Sequence, residues 1–208
     1  MQEKIFSQEE HEEWLHFRRG KITGTRLKDV IVKRGTGKKI GFYELIAEKL
    51  GLPPENEENP MERGSLLEQE AISTFEEIVG KKVDTTKRIW MRDDNENIAI
   101  SPDGVISKTE AVEVKCLSSA RHIEAYLTKK VPSEYEYQVL QYFIVNDNLK
   151  KLHLVFFDPR FFAMNKKGLD FFEIVVTRKE LKAQIDEVLK YEREVIEEVN
   201  TIVNSLTF

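Results

Sequence analysis

Leu67, Ala71, Ile72, Phe75, Ile78 and Val79 recur at helical spacing, which predicts an amphipathic helix over Met61–Val79. Glu68 lies four residues before Ile72 and seven before Phe75, so it falls on that apolar stripe. Glu70, Glu76 and Glu77 fall mostly on the wetter side. A carboxylate facing a core needs a cation or strong donors, because burying it unpaired is very costly. Glu68 is therefore a candidate metal ligand or a base beside one. A salt bridge to a core-facing Arg or Lys is the other reading.

A second helical line, Leu181, Ile185, Val188, Leu189, Val195, Val199 and Ile202, predicts a long C-terminal helix over 178–206. Near the start, Ser7-Gln8-Glu9-Glu10 reads as a capping box opening a helix that runs to about Arg19 and ends at Gly20. After Thr23-Gly24-Thr25, the stripe Leu27, Val30 and Ile31 predicts a further helix. A basic loop is expected over 33–39, a short helix over 41–50 and a Pro-rich acidic loop over 51–60. Strands are expected at 83–90, 98–101, 104–107, 111–117, 152–157 and 171–176, with a helix over 133–145. That order predicts one α/β domain, a central mixed sheet flanked by helices.

Composition narrows the class. The chain has 208 residues, enough for a substantial core. No run of 18 apolar residues marks a membrane helix. The opening residues are polar and acidic, unlike a secretory signal, so cytoplasmic location is the expectation. The single cysteine, Cys116, leaves no intrachain disulfide, cysteine-ligated zinc or iron–sulfur cluster. The net charge of −5 argues against nonspecific coating of nucleic acid. Charge is unevenly spread, however. Arg18, Arg19, Lys21, Arg26, Lys28, Lys33, Arg34, Lys38 and Lys39 are offset only by Asp29. Such a basic segment on an acidic chain fits a nucleic-acid groove on one face, or a solvated charge run.

The chemistry concentrates in Ser101-Pro102-Asp103-Gly104 and Glu113-Val114-Lys115. Mg²⁺ takes carboxylate and carbonyl oxygens. Cutting a phosphodiester calls for positive charge beside its attacking and leaving oxygens. Period-2 alternation over 111–116 puts Glu113 and Lys115 on one strand face and Val112, Val114 and Cys116 on the other. A three-residue turn at Lys108-Thr109-Glu110 would set Asp103 opposite Lys115.

Taken in order, these blocks resemble the phage lambda exonuclease (YqaJ-like viral recombinase) family of the PD-(D/E)xK nuclease superfamily. Residues 14–25, from Trp14 through Arg18, Gly20 and Ile22 to Thr25, resemble its N-terminal segment. Gly64-Ser65-Leu66-Leu67-Glu68 resembles its Gly-x3-Glu helix start. The Asp103 and Glu113 blocks resemble its catalytic core. Tyr137-Gln138-Val139-Leu140-Gln141-Tyr142 resembles its glutamine helix, and Phe157-Asp158-Pro159-Arg160 a later strand end.

The resemblance implies roles. Asp103, Glu113 and the Val114 carbonyl would hold Mg²⁺, with Mn²⁺ as a substitute. Lys115 would orient the attacking water or stabilise the leaving charge, and Glu68 and Gln138 would complete the site. Arg18, Thr25 and Ser101 would bind a 5′-phosphate. Thr25 stands where the family has Ser, and Gln138-Val139-Leu140-Gln141 departs from its Gln-x-Gln spacing, which favours Gln138 over Gln141. Residues 1–60 would form a helical DNA-end-binding part, 61–176 the catalytic core and 177–208 the C-terminal helix.

The implied activity is Mg²⁺-dependent exonuclease digestion of one strand of linear duplex DNA from the 5′ end, leaving 3′ overhangs for recombination. Implied partners are double-stranded DNA with a free end, further copies in a trimeric ring and a single-strand annealing protein, in a host cytoplasm if the chain is phage-encoded. The same residues leave two other readings: a structure- or site-specific endonuclease, and a non-catalytic DNA-binding module. Trp14 reads as a packing anchor and Cys116 as a small core residue. His11, His16, His122 and His153 lack ligand spacing.

Overall fold

The structure is a computed structural model describing residues 1–31, 42, 45, 49, 61–117, 119–163 and 168–206. Its strands form two sheets. The first is antiparallel, with β1 (Gln2–Ile5), β2 (Arg88–Arg92) and β3 (Asn95–Ile100) in that order. The second is mixed, with β4 (Gly104–Ser107), β5 (Glu110–Lys115), β6 (Lys151–Phe157) and β7 (Phe171–Thr177) in that order. Its β5–β6 pair is parallel and its other pairs antiparallel. A short 3₁₀ turn, Gln8–Glu10, leads into α1 (His11–Arg18), which is followed by α2 (Gly24–Val30) and α3 (Met61–Val79). Then come α4 (Ser119–Thr128), α5 (Glu136–Val145), α6 (Arg160–Ala163) and α7 (Arg178–Leu206). This is the expected mixed sheet flanked by helices, with a long helix at the C-terminal end. Among the described residues, no helix is long and apolar enough to cross a membrane.

Helices cover both faces of the mixed sheet. On one face α3 packs Ala71, Ile72 and Phe75 against Val112, Val114, Val155 and Phe157. On the other, Ala111, Leu152, Leu154 and Phe156 meet α5 and the stripe Ile185, Val188, Val195, Ile196 and Val199 of α7. Every residue of α5 from Gln138 to Val145 is buried. A helix buried all round belongs inside the molecule, and α5 packs against α2, α7 and β3.

Several local readings hold. Ser7 and Glu10 form the capping box, with Ser7 N donating to Glu10 Oε2 at 2.7 Å. Gly20, at φ +69°, ends the turn after α1 in the left-handed region that glycine tolerates. Three readings change. β1 went unseen because its four residues are all exposed, so no alternation marks an edge strand held by backbone bonds to β2. The strand expected at 83–90 begins only at Arg88; before it lies a lone bridge, Asp84 to Val105, at the β4 edge. α4 was missed because His122, polar by type, is one of its buried contacts and breaks the apolar pattern. The basic loop 33–39, the helix 41–50 apart from Phe42, Leu45 and Lys49, and the loop 51–60 lie outside the described residues.

The α1–α2 turn is fixed to the first sheet. Ile22 bridges Ile98, donating its N–H to Asn97 O at 2.9 Å and accepting Ala99 N–H at 3.2 Å. That contact brings the end of α1 and the start of α2 to the strand that leads into Ser101.

Candidate active site

The β4–β5 hairpin turns more tightly than expected. Its pairs are Gly104↔Val112, Val105↔Ala111 and Ser107↔Glu110, with a bulge between Val105 and Ser107 and a turn at Lys108-Thr109. Glu110 is thus in the strand, not the turn. Continuing the register sets Asp103 against Glu113, which corrects the expected pairing with Lys115. A bulge inserts one unpaired residue and shifts everything beyond it. Asp103 Oδ2 accepts the Val114 N–H at 2.7 Å, tying the acid to β5. Gly104 is needed on steric grounds: a Cβ there would fall 2.3 Å from Val83 Cγ1.

The alternation along β5 is as read. Val112 and Val114 pack under α3 with the half-buried Cys116. Glu113 and Lys115 point the other way, toward α5. Glu113 is only 3 % exposed. Lys115 Nζ donates to Glu113 Oε1 at 2.7 Å and to Gln138 Oε1 at 2.8 Å. Gln138 Nε2 donates to Glu113 Oε1, and the Tyr142 hydroxyl donates to Oε2. The ammonium also lies 4.5 Å over the Tyr135 ring.

Three carboxyl groups feel one another here. Burial, and then the charge on Glu113, push the Glu68 carboxyl up to about 6. Burial, then Glu113 and Glu68, push Asp103 well above the usual carboxylate range. Burial opposes the Lys115 ammonium, but Glu113 and Asp103 outweigh it and raise its pKa. The fold therefore concentrates negative charge around one lysine.

Among the described residues, no three His, Cys, Asp or Glu side chains form a ready-made metal cage. Mg²⁺ does not need one, since it keeps several waters and takes one or two carboxylates. Asp103 and Glu113, with the Val114 carbonyl on the same strand, offer an all-oxygen set, and their crowded charge suits a hard cation.

Arg18, Thr25 and Ser101 come from three segments. Arg18 is half-buried, with its guanidinium 4.5 Å over the Trp14 ring. Burial, then Arg26, lower its pKa, while Glu113 and Asp103 pull it back up. Arg18 is thus within electrostatic reach of both acids. Thr25 is exposed on α2, its hydroxyl 3.4 Å from that of Thr23. Ser101 Oγ is buried and has no hydrogen-bond partner among the described residues.

Other residues sort themselves by contact. Gln141 turns away from the site, donating to Ile22 O at 3.0 Å and Glu192 Oε1 at 2.9 Å. Trp14 carries Arg18 on its ring, Lys87 at 5.9 Å and His11 stacked at 5.4 Å. His122 is buried against Phe161 and Phe172, and His153 contacts Glu173 and Glu110. Tyr142 was not singled out from sequence. Its signal was available, because it stands four residues after Gln138 and shares that helix face.

Residues 13–148 match the model of the YqaJ-like viral recombinase domain. The crystal structure of an alkaline exonuclease from Laribacter hongkongensis is similar at TM-score 0.75 and 25 % identity, over 94 % of this chain and 97 % of that one. The same enzyme in complex with dAMP gives 0.74 and 26 %, over 94 % and 97 %. A phage-related exonuclease from Haemophilus somnus 129PT shares the fold at 0.62 and 15 % identity, over 90 % and 96 %. Among curated proteins, none matches this chain.

Proposed function

We propose that this chain, which belongs to the YqaJ-like viral recombinase domain family and is a nuclease, is a Mg²⁺-dependent exonuclease that digests one strand of linear duplex DNA from a 5′-phosphorylated end. The observation that carries this reading is the Lys115 ammonium held between Glu113 and Gln138, with Asp103 bonded to the same strand.

Asp103, Glu113 and the Val114 carbonyl would hold the ion. When bound there, a divalent cation would supply positive charge to the scissile phosphate and acidify an attacking water. The chain's own groups supply the rest. Lys115 keeps its proton, so it is a donor to an anionic phosphate or to the leaving oxygen. Gln138 holds both Lys115 and Glu113, which fixes their separation before substrate arrives. Glu68 has a carboxyl able to change protonation state near neutral pH.

Arg18 offers a planar fork matched to a terminal phosphate. The Ser101 hydroxyl, without a partner among the described residues, and the Thr25 hydroxyl would take remaining oxygens. The dAMP complex of the Laribacter hongkongensis enzyme supports a nucleotide monophosphate as the released unit. The substrate would be double-stranded DNA with a free end. A closed ring of three copies would keep it attached despite the net charge of −5, and the 3′ overhang would pass to a single-strand annealing protein.

The test is incubation with Mg²⁺ on linear duplex bearing 5′-phosphate, linear duplex bearing 5′-hydroxyl, and closed circular duplex. Loss of the phosphorylated linear duplex, stopped by EDTA and restored by Mg²⁺ or Mn²⁺, supports the reading. Nicking of the circle would replace it with an endonuclease, and binding without cleavage with a DNA-binding module.

A further inference from the structure

α5 carries Tyr142 one turn after Gln138, so both side chains leave the helix toward Glu113. Gln138 takes one carboxylate oxygen and the Tyr142 hydroxyl takes the other. A carboxylate has no proton to give, so the hydroxyl proton goes to Glu113. Tyr142 is fully buried, and Trp90 meets its ring edge-on at 6.2 Å. The tyrosine therefore cannot swing away from Glu113 without breaking the packing around it.

From this geometry we infer that Tyr142 is a positioning residue for the divalent ion: with Gln138 on the other oxygen, it fixes the rotation of the Glu113 carboxylate before the ion binds. The inference rests on the metal-dependent reading above. Asp103 immediately precedes β4 and Glu113 lies on β5, and the hairpin has a bulge between them and its turn. A bulged hairpin alone leaves the two carboxylates freer to shift apart. The Val114 N–H holds the Asp103 carboxylate, and the Tyr142 hydroxyl holds that of Glu113. Groups that orient metal ligands in this way govern affinity as well as rate.

The experiment is titration of the DNA-free protein with Mn²⁺, followed by calorimetry, for wild type and Tyr142→Phe. The expected result is a Kd raised about 10- to 100-fold in the variant, with cleavage recovered at high Mn²⁺ and KM for DNA unchanged. A Kd within twofold of wild type overturns the inference and leaves the nuclease reading intact. Failure of wild type to bind Mn²⁺ overturns the metal-dependent reading instead. Losing the hydroxyl strands a buried carboxylate oxygen and can unfold the protein. Two ring substituents of similar size therefore carry the test as well: p-aminophenylalanine, which donates, and p-methylphenylalanine, which does not. Tighter Mn²⁺ binding by the amino form supports the inference, and equal binding by both overturns it.

Discussion

A Cβ added to Gly24 would stand 3.0 Å from Cγ of Gln138, so the start of α2 and the glutamine that holds Lys115 meet with no spare room. The same Cβ would meet Ile100 Cδ1 at 2.6 Å. A terminal methyl can swing aside. Gln138 cannot yield as easily, because Glu113 and Lys115 hold both ends of its amide.

Gly24→Ala is accordingly expected to cost about 1–3 kcal/mol of stability, the usual range for an overpacked core, and to lower cleavage by roughly tenfold, or 1.4 kcal/mol of barrier. Urea unfolding and kcat/KM on linear duplex check both. Full activity at unchanged stability would mean that the contact is slack.

Asp103→Asn removes one of three crowded negative charges and keeps an oxygen for the Val114 N–H. Cleavage should fall at least about a hundredfold, the scale for losing a preorganised electrostatic group. In the absence of metal, the melting temperature should hold or rise, because active-site charge is kept at a stability cost. Retained Mg²⁺-dependent cleavage would remove Asp103 from the site.

Arg18→Lys keeps the charge but loses the fork. Hydrogen bonds to charged groups contribute about 1.5–3 kcal/mol, so the preference for 5′-phosphate over 5′-hydroxyl ends should drop by roughly ten- to a hundredfold. An unchanged preference would place the phosphate elsewhere.

Glu192 predicts a pH effect far from the chemistry. It is fully buried on α7, with one oxygen held by Gln141 and the other without a partner among the described residues. Burial pushes its carboxyl up to about 8 from an ordinary 4.5. Below pH 4.5 both folded and unfolded chains keep the proton, and the buried acid carries no ionisation penalty. Between pH 4.5 and 8 only the unfolded chain releases it, so folding weakens by ~1.4 kcal/mol per pH unit from this group. Glu192→Gln should therefore raise the melting temperature at pH 8 by several degrees more than at pH 5, at ~2–4 °C per kcal/mol for a chain of this size. Equal shifts at both pH values would show that the residue does not titrate there.

The fold was largely legible because its main elements carry strong periodicity. α3 and α7 each bury one apolar stripe, and β5 alternates cleanly. What escaped detection lacked that signal. β1 buries none of its residues, and α4 uses a histidine as a core contact. Asp103, Glu113, Lys115 and Gln138, which the structure brings together, could be singled out as candidates because each belongs to a motif of fixed spacing. The hairpin register was misjudged, since a bulge at Ile106 leaves no mark in residue type. Tyr142 was passed over because a tyrosine in an apolar helix reads as core, which it is, apart from one oxygen atom.

The parallel pairing of β5 with β6 runs from Glu110↔Lys151 to Lys115↔Phe156, and it can form only after the chain has looped out through α4 and α5. The two acids sit on a hairpin of neighbouring residues that can close early, whereas Gln138 and Tyr142 arrive with the loop. Long-range closure of this kind is slow compared with hairpin formation. A chain emerging from the ribosome thus displays its acids before it can set them. In a refolding experiment, the return of DNA cutting should trail the return of strand structure.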